Sequence, residues 1–117
     1  MAYMLLILEG IGDRQARGEE QGRVVYDRML SFAAGLKERG VLKGGDALTT
    51  PATRVRASVQ DGKRIALDGP FAEAKEMVGG YFLLDCKSKE EALAIARDCP
   101  AAEWATVEVR QIGTCFE

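Results

Sequence analysis

The chain of 117 residues contains no histidine, the side chain whose ordinary pKa lies nearest neutrality and the commonest general base and zinc ligand. A Ser-His-Asp or Cys-His mechanism is therefore excluded, as is any histidine-based metal site. Long apolar runs are missing too. Tyr3 to Leu8 falls far short of the roughly 20 residues of a membrane-spanning helix, lacks a basic leader and runs straight into polar sequence, so it is read neither as a span nor as a signal peptide. A cytoplasmic location is expected. Neither sign of charge dominates: 16 Lys and Arg stand against 18 Asp and Glu, scattered along the chain, without the electrostatic footprint of a nucleic-acid binder. Cys86, Cys99 and Cys115 are odd in number and not closely paired, which fits reduced thiols rather than a zinc site or a disulfide framework. "EGIGDRQARG", Glu9 to Gly18, lacks the glycine spacing and setting of a phosphate loop. Neither a metal nor a cofactor is expected.

What is present is enough apolar sequence, 47% of residues, to bury a core in one domain spanning 1–117. Tyr3 to Leu8, "YMLLIL", is apolar on both alternating faces, as in a strand covered on both sides. Glu9 to Gly18 reads as a polar loop. From Glu19 to Arg39, Val25, Met29, Phe32 and Leu36 fall at helical spacing, and Gly40 stands where a helix would stop. "VLKGGDALTTPA" reads as a turn-rich connection. Thr53 to Val59 alternates strictly, and Asp61-Gly62 is a two-residue hairpin signal that returns the chain along Lys63 to Asp68. A short helical corner after Pro70 leads to a second doubly apolar strand, Gly80 to Cys86. Ser88 and Glu91 form a capping box before a helix with the stripe Ala92, Ile95, Ala96 and Cys99, which Pro100 ends. Thr106 to Ile112 is the last strand.

This order specifies an α+β, ferredoxin-like βαβ(ββ)αβ sandwich with an extra hairpin strand. Two helices cover one face of such a sheet, yet two of its strands are apolar on both. The other face would be a larger exposed patch than monomers usually carry, so a homodimer with sheet against sheet is expected.

Within "LDGPFAEAKEMVGGYFLLD", Leu67 to Asp85, each residue has a structural task. Gly69 suits a sharp turn, Pro70 the first position of a helix, and Asp68 can accept from the amides of the turn. Phe71 is an apolar plug, Glu73 and Lys75 are solvated charges, and Gly79-Gly80 lets the chain re-enter the sheet. The stretch closely resembles the motif of the DGPF branch of the YCII-related proteins. The agreement extends to the "YMLLI" start, the "TRVRASVQDG" hairpin, the "SKEEALAIARDCP" helix and the "VEVR" ending; Gln111 departs from the usual proline. The resemblance implies a dimeric α/β barrel of ferredoxin-like subunits. Certain relatives act as small lyases or dehalogenating enzymes through a histidine and aspartate pair, which a chain without histidine cannot reproduce. Similar proteins also occur beside or fused to extracytoplasmic-function sigma factors, which implies a regulatory partner of that kind.

Asp68 is the candidate acid or base, a role that requires burial, although aspartate before glycine and proline is ordinary turn chemistry. If Val55, Val59, Val107 and Val109 pack under the helices, then Arg54, Arg56, Glu108 and Arg110 project into the dimer interior. There they must pair with one another or hold an anion such as a carboxylate, with Tyr81 placed to donate its hydroxyl. Two readings follow. In one the protein is a homodimeric small-molecule-binding or accessory module. In the other it is a small enzyme with Asp68 or Glu108 as acid-base group and arginine as charge stabiliser. The first is favoured, because no pair of groups with complementary catalytic roles is identifiable.

Overall fold

The computed structural model describes residues 1–50, 54–69, 71 and 74–116. In chain order the elements are β1 (Ala2–Gly10), α1 (Asp13–Arg17), α2 (Glu19–Glu38), β2 (Leu42–Ala47), β3 (Val55–Gln60), β4 (Lys63–Asp68), β5 (Glu76–Asp85), α3 (Lys89–Asp98), a 3-10 turn at Pro100–Glu103 and β6 (Thr106–Gln111). β2, β5, β1 and β6 form one antiparallel sheet in that order, the ferredoxin-like arrangement expected. Among the described residues β3 and β4 pair only with each other, as a separate hairpin inserted between β2 and β5.

Alternation along β1 sends Tyr3, Leu5, Ile7 and Glu9 to the helical side, where all four are buried. Leu5 lies across from Phe82 on β5 and Val109 on β6, so one face of three strands builds the core with Leu36 of α2 and Ala92, Ile95 and Ala96 of α3. Met4, Leu6, Tyr81, Leu83, Glu108 and Arg110 share the opposite face. α3 begins at the expected N-cap: the Ser88 hydroxyl accepts from the amide of Glu91 at 3.2 Å. Asp61 and Gly62 take the positive φ values, 52° and 75°, that their two-residue turn needs.

Three local readings are corrected. "LKGGDA" is edge strand β2 rather than turn: its backbone pairs with β5, and the close approach needs Gly45, where a Cβ would sit 2.7 Å from the Tyr81 carbonyl oxygen. Asp13–Arg17 is a short helix, not loop. No helix forms at Ala74 and Lys75; β5 already begins at Glu76. The expected first turn at Pro70 and the charge at Glu73 lie outside the described residues. Among the described residues, no helix is long and apolar enough to cross a membrane.

Candidate functional site

α2 packs unevenly. Its C-terminal half is tight, with Leu36 buried and Phe32 edge-on to Phe82 at 5.7 Å between ring centres. From Gly22 to Ala33 the helix leaves a gap over the sheet, where several of the facing residues are small: Gly22 and Ala33 on α2, Gly79 and Gly80 on β5, and Ala101 on the 3-10 turn. The result is a cavity of about 390 Å³ between α2 and the sheet, walled by Ile7, Val25, Met29, Phe82 and Trp104, with Tyr26 and Leu30 at its more exposed edge. Trp104 is held in place by Arg17 and Arg28, whose guanidinium carbons lie 5.9 and 5.4 Å from its ring centre. Arg28 also forks onto Glu103 at 3.0 and 2.5 Å, tying α2 to the 3-10 turn. That pairing holds the Glu103 carboxyl below its ordinary range.

Asp46 on the exposed edge strand and the pair Glu9 and Arg14 are the charged residues at the cavity, and of these Glu9 is the buried one, only 5% exposed. Arg14, carried by α1, donates to it from Nη2 at 2.7 Å and from Nε at 3.2 and 3.3 Å. The same guanidinium donates to the carbonyls of Leu48 at 2.6 Å and Gly79 at 3.0 Å. Leu48 and Gly79 flank the chain segment that contains the β3–β4 hairpin, and they are joined to each other by a 2.9 Å backbone bond. One side chain thus fastens the floor of the cavity to both stems of the insertion.

Gly79 explains why this carboxylate fits. The register of β1 on β5 slips by one residue between Ile7 and Leu8, leaving Gly79 as the extra residue of a bulge. A Cβ there would lie 1.6 Å from Glu9 Oε2 and 2.9 Å from Arg14 Nη2. A larger residue there would have to push the Glu9 carboxylate and the Arg14 guanidinium aside.

The residues singled out from sequence fall into separate groups. Arg54 and Arg56 stand at the hairpin root, 5.2 and 3.9 Å from the Phe71 ring centre, and Arg54 Nε is buried without a hydrogen-bond partner among the described residues. Asp68 ends β4, exposed and opposite Val55, so the burial its acid-base role requires is absent from the single chain. Gly69 closes the root by donating to the Arg54 carbonyl at 2.6 Å. Glu108 and Arg110 lie 3.7 Å apart on the outer face of the main sheet, with Tyr81 on the same face donating to Asp46 Oδ2 at 3.2 Å. That bond, with the charge of Asp46, raises the Tyr81 pKa. Val107 and Val109 pack against the core as expected, but Val55 and Val59 are exposed on the hairpin, so Arg54 and Arg56 do not join Arg110 on one face. Of the residues named, Gly79, Gly80 and Tyr81 line the cavity. Glu9 and Arg14 were missed, although Glu9 continues the alternation Tyr3, Leu5, Ile7 and so belongs to the buried face.

Comparison with known proteins agrees with this architecture. An uncharacterised protein of Rhizobium meliloti (strain 1021), R00369, is 47% identical over 66 residues, which are 55% of this chain and 52% of that one. The match thus spans about half the length of this curated relative. Among solved structures, the 5-chloro-2-hydroxyhydroquinone dehydrochlorinase TftG of Burkholderia phenoliruptrix AC1100, in complex with 2,5-dihydroxybenzoquinone, superposes with a TM-score of 0.58 over 97% of this chain and 94% of its own, at 15% identity. That likeness is one of fold. The profile of the YCII-related domain matches residues 1–114, and the chain belongs to the YCII-related domain family.

Proposed function

We propose that the protein is a homodimeric small-molecule-binding module and that its ligand occupies the cavity between α2 and the sheet. The observation that carries this reading is the Glu9–Arg14 pair, with Glu9 buried at one end of a largely apolar cavity of ligand size. A buried ion pair is costly to desolvate and is weak evidence of a stability role, whereas a few polar groups converging on an apolar cavity are what orients a ligand. Dimerisation is supported by the apolar outer face of the sheet, where Met4, Leu6, Leu8 and Leu83 remain partly exposed, and by the hairpin arm. An anion held by Arg54, Arg56 or Arg110 would sit at the hairpin root or on the outer face, outside this cavity.

The test is a thermal-shift and native mass-spectrometry screen of small molecules on the wild type and on Ala33→Phe, which fills the cavity. Ligands that stabilise the wild-type dimer but not the variant support the reading; equal stabilisation of both overturns it. A dimer indifferent to every small molecule would point instead to a protein partner such as a sigma-factor system.

A second reading, a small histidine-independent enzyme, is supported by the fold it shares with a dehydrochlorinase at 15% identity. In that reading the carboxylate facing the cavity, Glu9, takes the acid-base role considered for Asp68 or Glu108. Turnover abolished in Glu9→Gln and kept in Asp68→Asn supports it. The reverse pattern returns the role to Asp68.

A further inference from the structure

We propose that the cavity selects an uncharged, hydroxyl-bearing ring compound of the phenol class, its hydroxyl donating to Glu9, and that it rejects carboxylates and phosphates. This rests on the cavity being the ligand site and adds the chemistry of what enters it.

The argument is a count of donors. An arginine has five N–H groups. In Arg14 the Nε–H is shared between the two Glu9 oxygens, both Nη2 hydrogens are taken by Glu9 Oε2 and the Gly79 carbonyl, and one Nη1 hydrogen goes to the Leu48 carbonyl. Only one N–H is left among the described residues, so Arg14 cannot form the two-pronged grip by which arginine captures carboxylate or phosphate. Its charge is already matched by Glu9 at 2.7 Å. An anion entering here would meet a carboxylate without gaining a free cation, and like charges brought together in a desolvated site oppose binding.

A carboxylate has about four acceptor sites on its two oxygens. Among the described residues, Glu9 Oε2 receives two arginine contacts, while Oε1 receives only the 3.3 Å contact from Nε. The open polar capacity of the pair is therefore acceptor capacity, which calls for a donor on the ligand. A cationic donor is disfavoured as well: Arg14 lies beside the acceptor, and Arg17 and Arg28 already stack on the Trp104 wall. Tyr26, Phe82 and Trp104 provide ring surfaces along the rest of the cavity. A neutral hydroxyl on a ring satisfies every one of these conditions.

The test uses the intact wild-type protein and three probes of nearly equal size: para-cresol, para-methylanisole, which lacks the donor, and para-toluate, which is an anion. Binding is followed by heteronuclear NMR at neutral pH, where a phenol keeps its proton. The expected result is that para-cresol perturbs the amides of Ala33, Gly79 and Gly80, that para-methylanisole binds about tenfold or more weakly, as loss of a hydrogen bond to a charged group implies, and that para-toluate binds least. Para-toluate binding as tightly as para-cresol at these amides would overturn the donor argument while leaving the cavity as the ligand site. Failure of all three to perturb them would overturn the cavity reading itself. Glu9→Gln removes the charge but keeps an acceptor, so a folded variant should lose part of the preference for para-cresol over para-methylanisole; an unchanged ratio counts against the proposal.

Discussion

At Gly79 the glycine serves space rather than backbone freedom, since its φ is not among the positive values. Gly79→Ala must displace the Glu9 carboxylate, and overpacking of this kind costs about 1–3 kcal/mol, measurable by urea denaturation. Arg14→Ala is more damaging, because it strands a carboxylate that is only 5% exposed. Breaking a buried pair in this way costs roughly 3 kcal/mol, the low end of the usual range, since Arg14 itself is 28% exposed. Arg14→Lys should recover only part of that loss, because an ammonium cannot span Glu9, Leu48 and Gly79 as a fork does. A fully stable Arg14→Ala would show that the pair is not buried in solution. The thiols give an independent check of the core: burial raises Cys86 and Cys99 above the ordinary thiol range, while Cys115 is exposed. A thiol reagent should modify Cys115 quickly in the native protein and the other two only after unfolding.

The elements that the sequence pattern predicts best are those whose signals are local. The 3.6-residue stripe of α2, the Ser88 N-cap of α3 and the Asp61-Gly62 turn all appear where expected, because each depends on residues within one or two turns of chain. β2 was illegible, since "LKGGDA" carries no alternation and is a strand only because β5 supplies its hydrogen bonds. The candidate site was half legible. Glu9 keeps the parity of Tyr3, Leu5 and Ile7, so its burial follows from the strand, but its partner Arg14 lies five residues on in a helix too short to leave a pattern. Gly79-Gly80 stood out in the sequence for a different reason from the one the bulge gives it. Within α2, Gly35 meets nothing within 4 Å of a built Cβ, so Gly35→Ala should stabilise the protein by about 0.5–1 kcal/mol, in contrast with Gly79→Ala. The Arg28–Glu103 tie from α2 to the 3-10 turn has a definite pH sign. Arg28 lowers the Glu103 pKa, so its contribution is present above the ordinary glutamate range and is lost as pH falls through the lowered folded value. The pair is exposed, so added salt should weaken it too; an acid transition unaffected by Glu103→Gln would remove the tie.

As a whole, the molecule is more extended than its length requires: its radius of gyration is 16.1 Å, against about 13 Å for a compact chain of this size. The hairpin accounts for this, since β3 and β4 have their extensive contacts with each other alone and leave Val55, Val59 and Leu67 about half exposed. A lone two-stranded hairpin is marginal in water, so the arm calls for cover from elsewhere. Its charge suggests the source: the arm from Arg54 to Asp68 has four cations and two anions, while the remainder has twelve cations and sixteen anions. A basic arm laid on the acidic body of a second copy would complete both surfaces. If a dimer forms in this way, Val59→Asp with Leu67→Asp, which removes both the apolar contacts and the basic excess of the arm, should shift it toward monomer in light-scattering chromatography; an unchanged dimer would place the arm outside the interface. None of this bears on where the ligand sits, which is the central claim. The most direct measurement of that is the map of backbone amides perturbed as para-cresol is titrated into the intact protein. Shifts confined to the walls around Glu9, Ala33, Gly79 and Trp104 are the predicted result. Shifts centred on Asp68, Arg54 or Arg110 would contradict it.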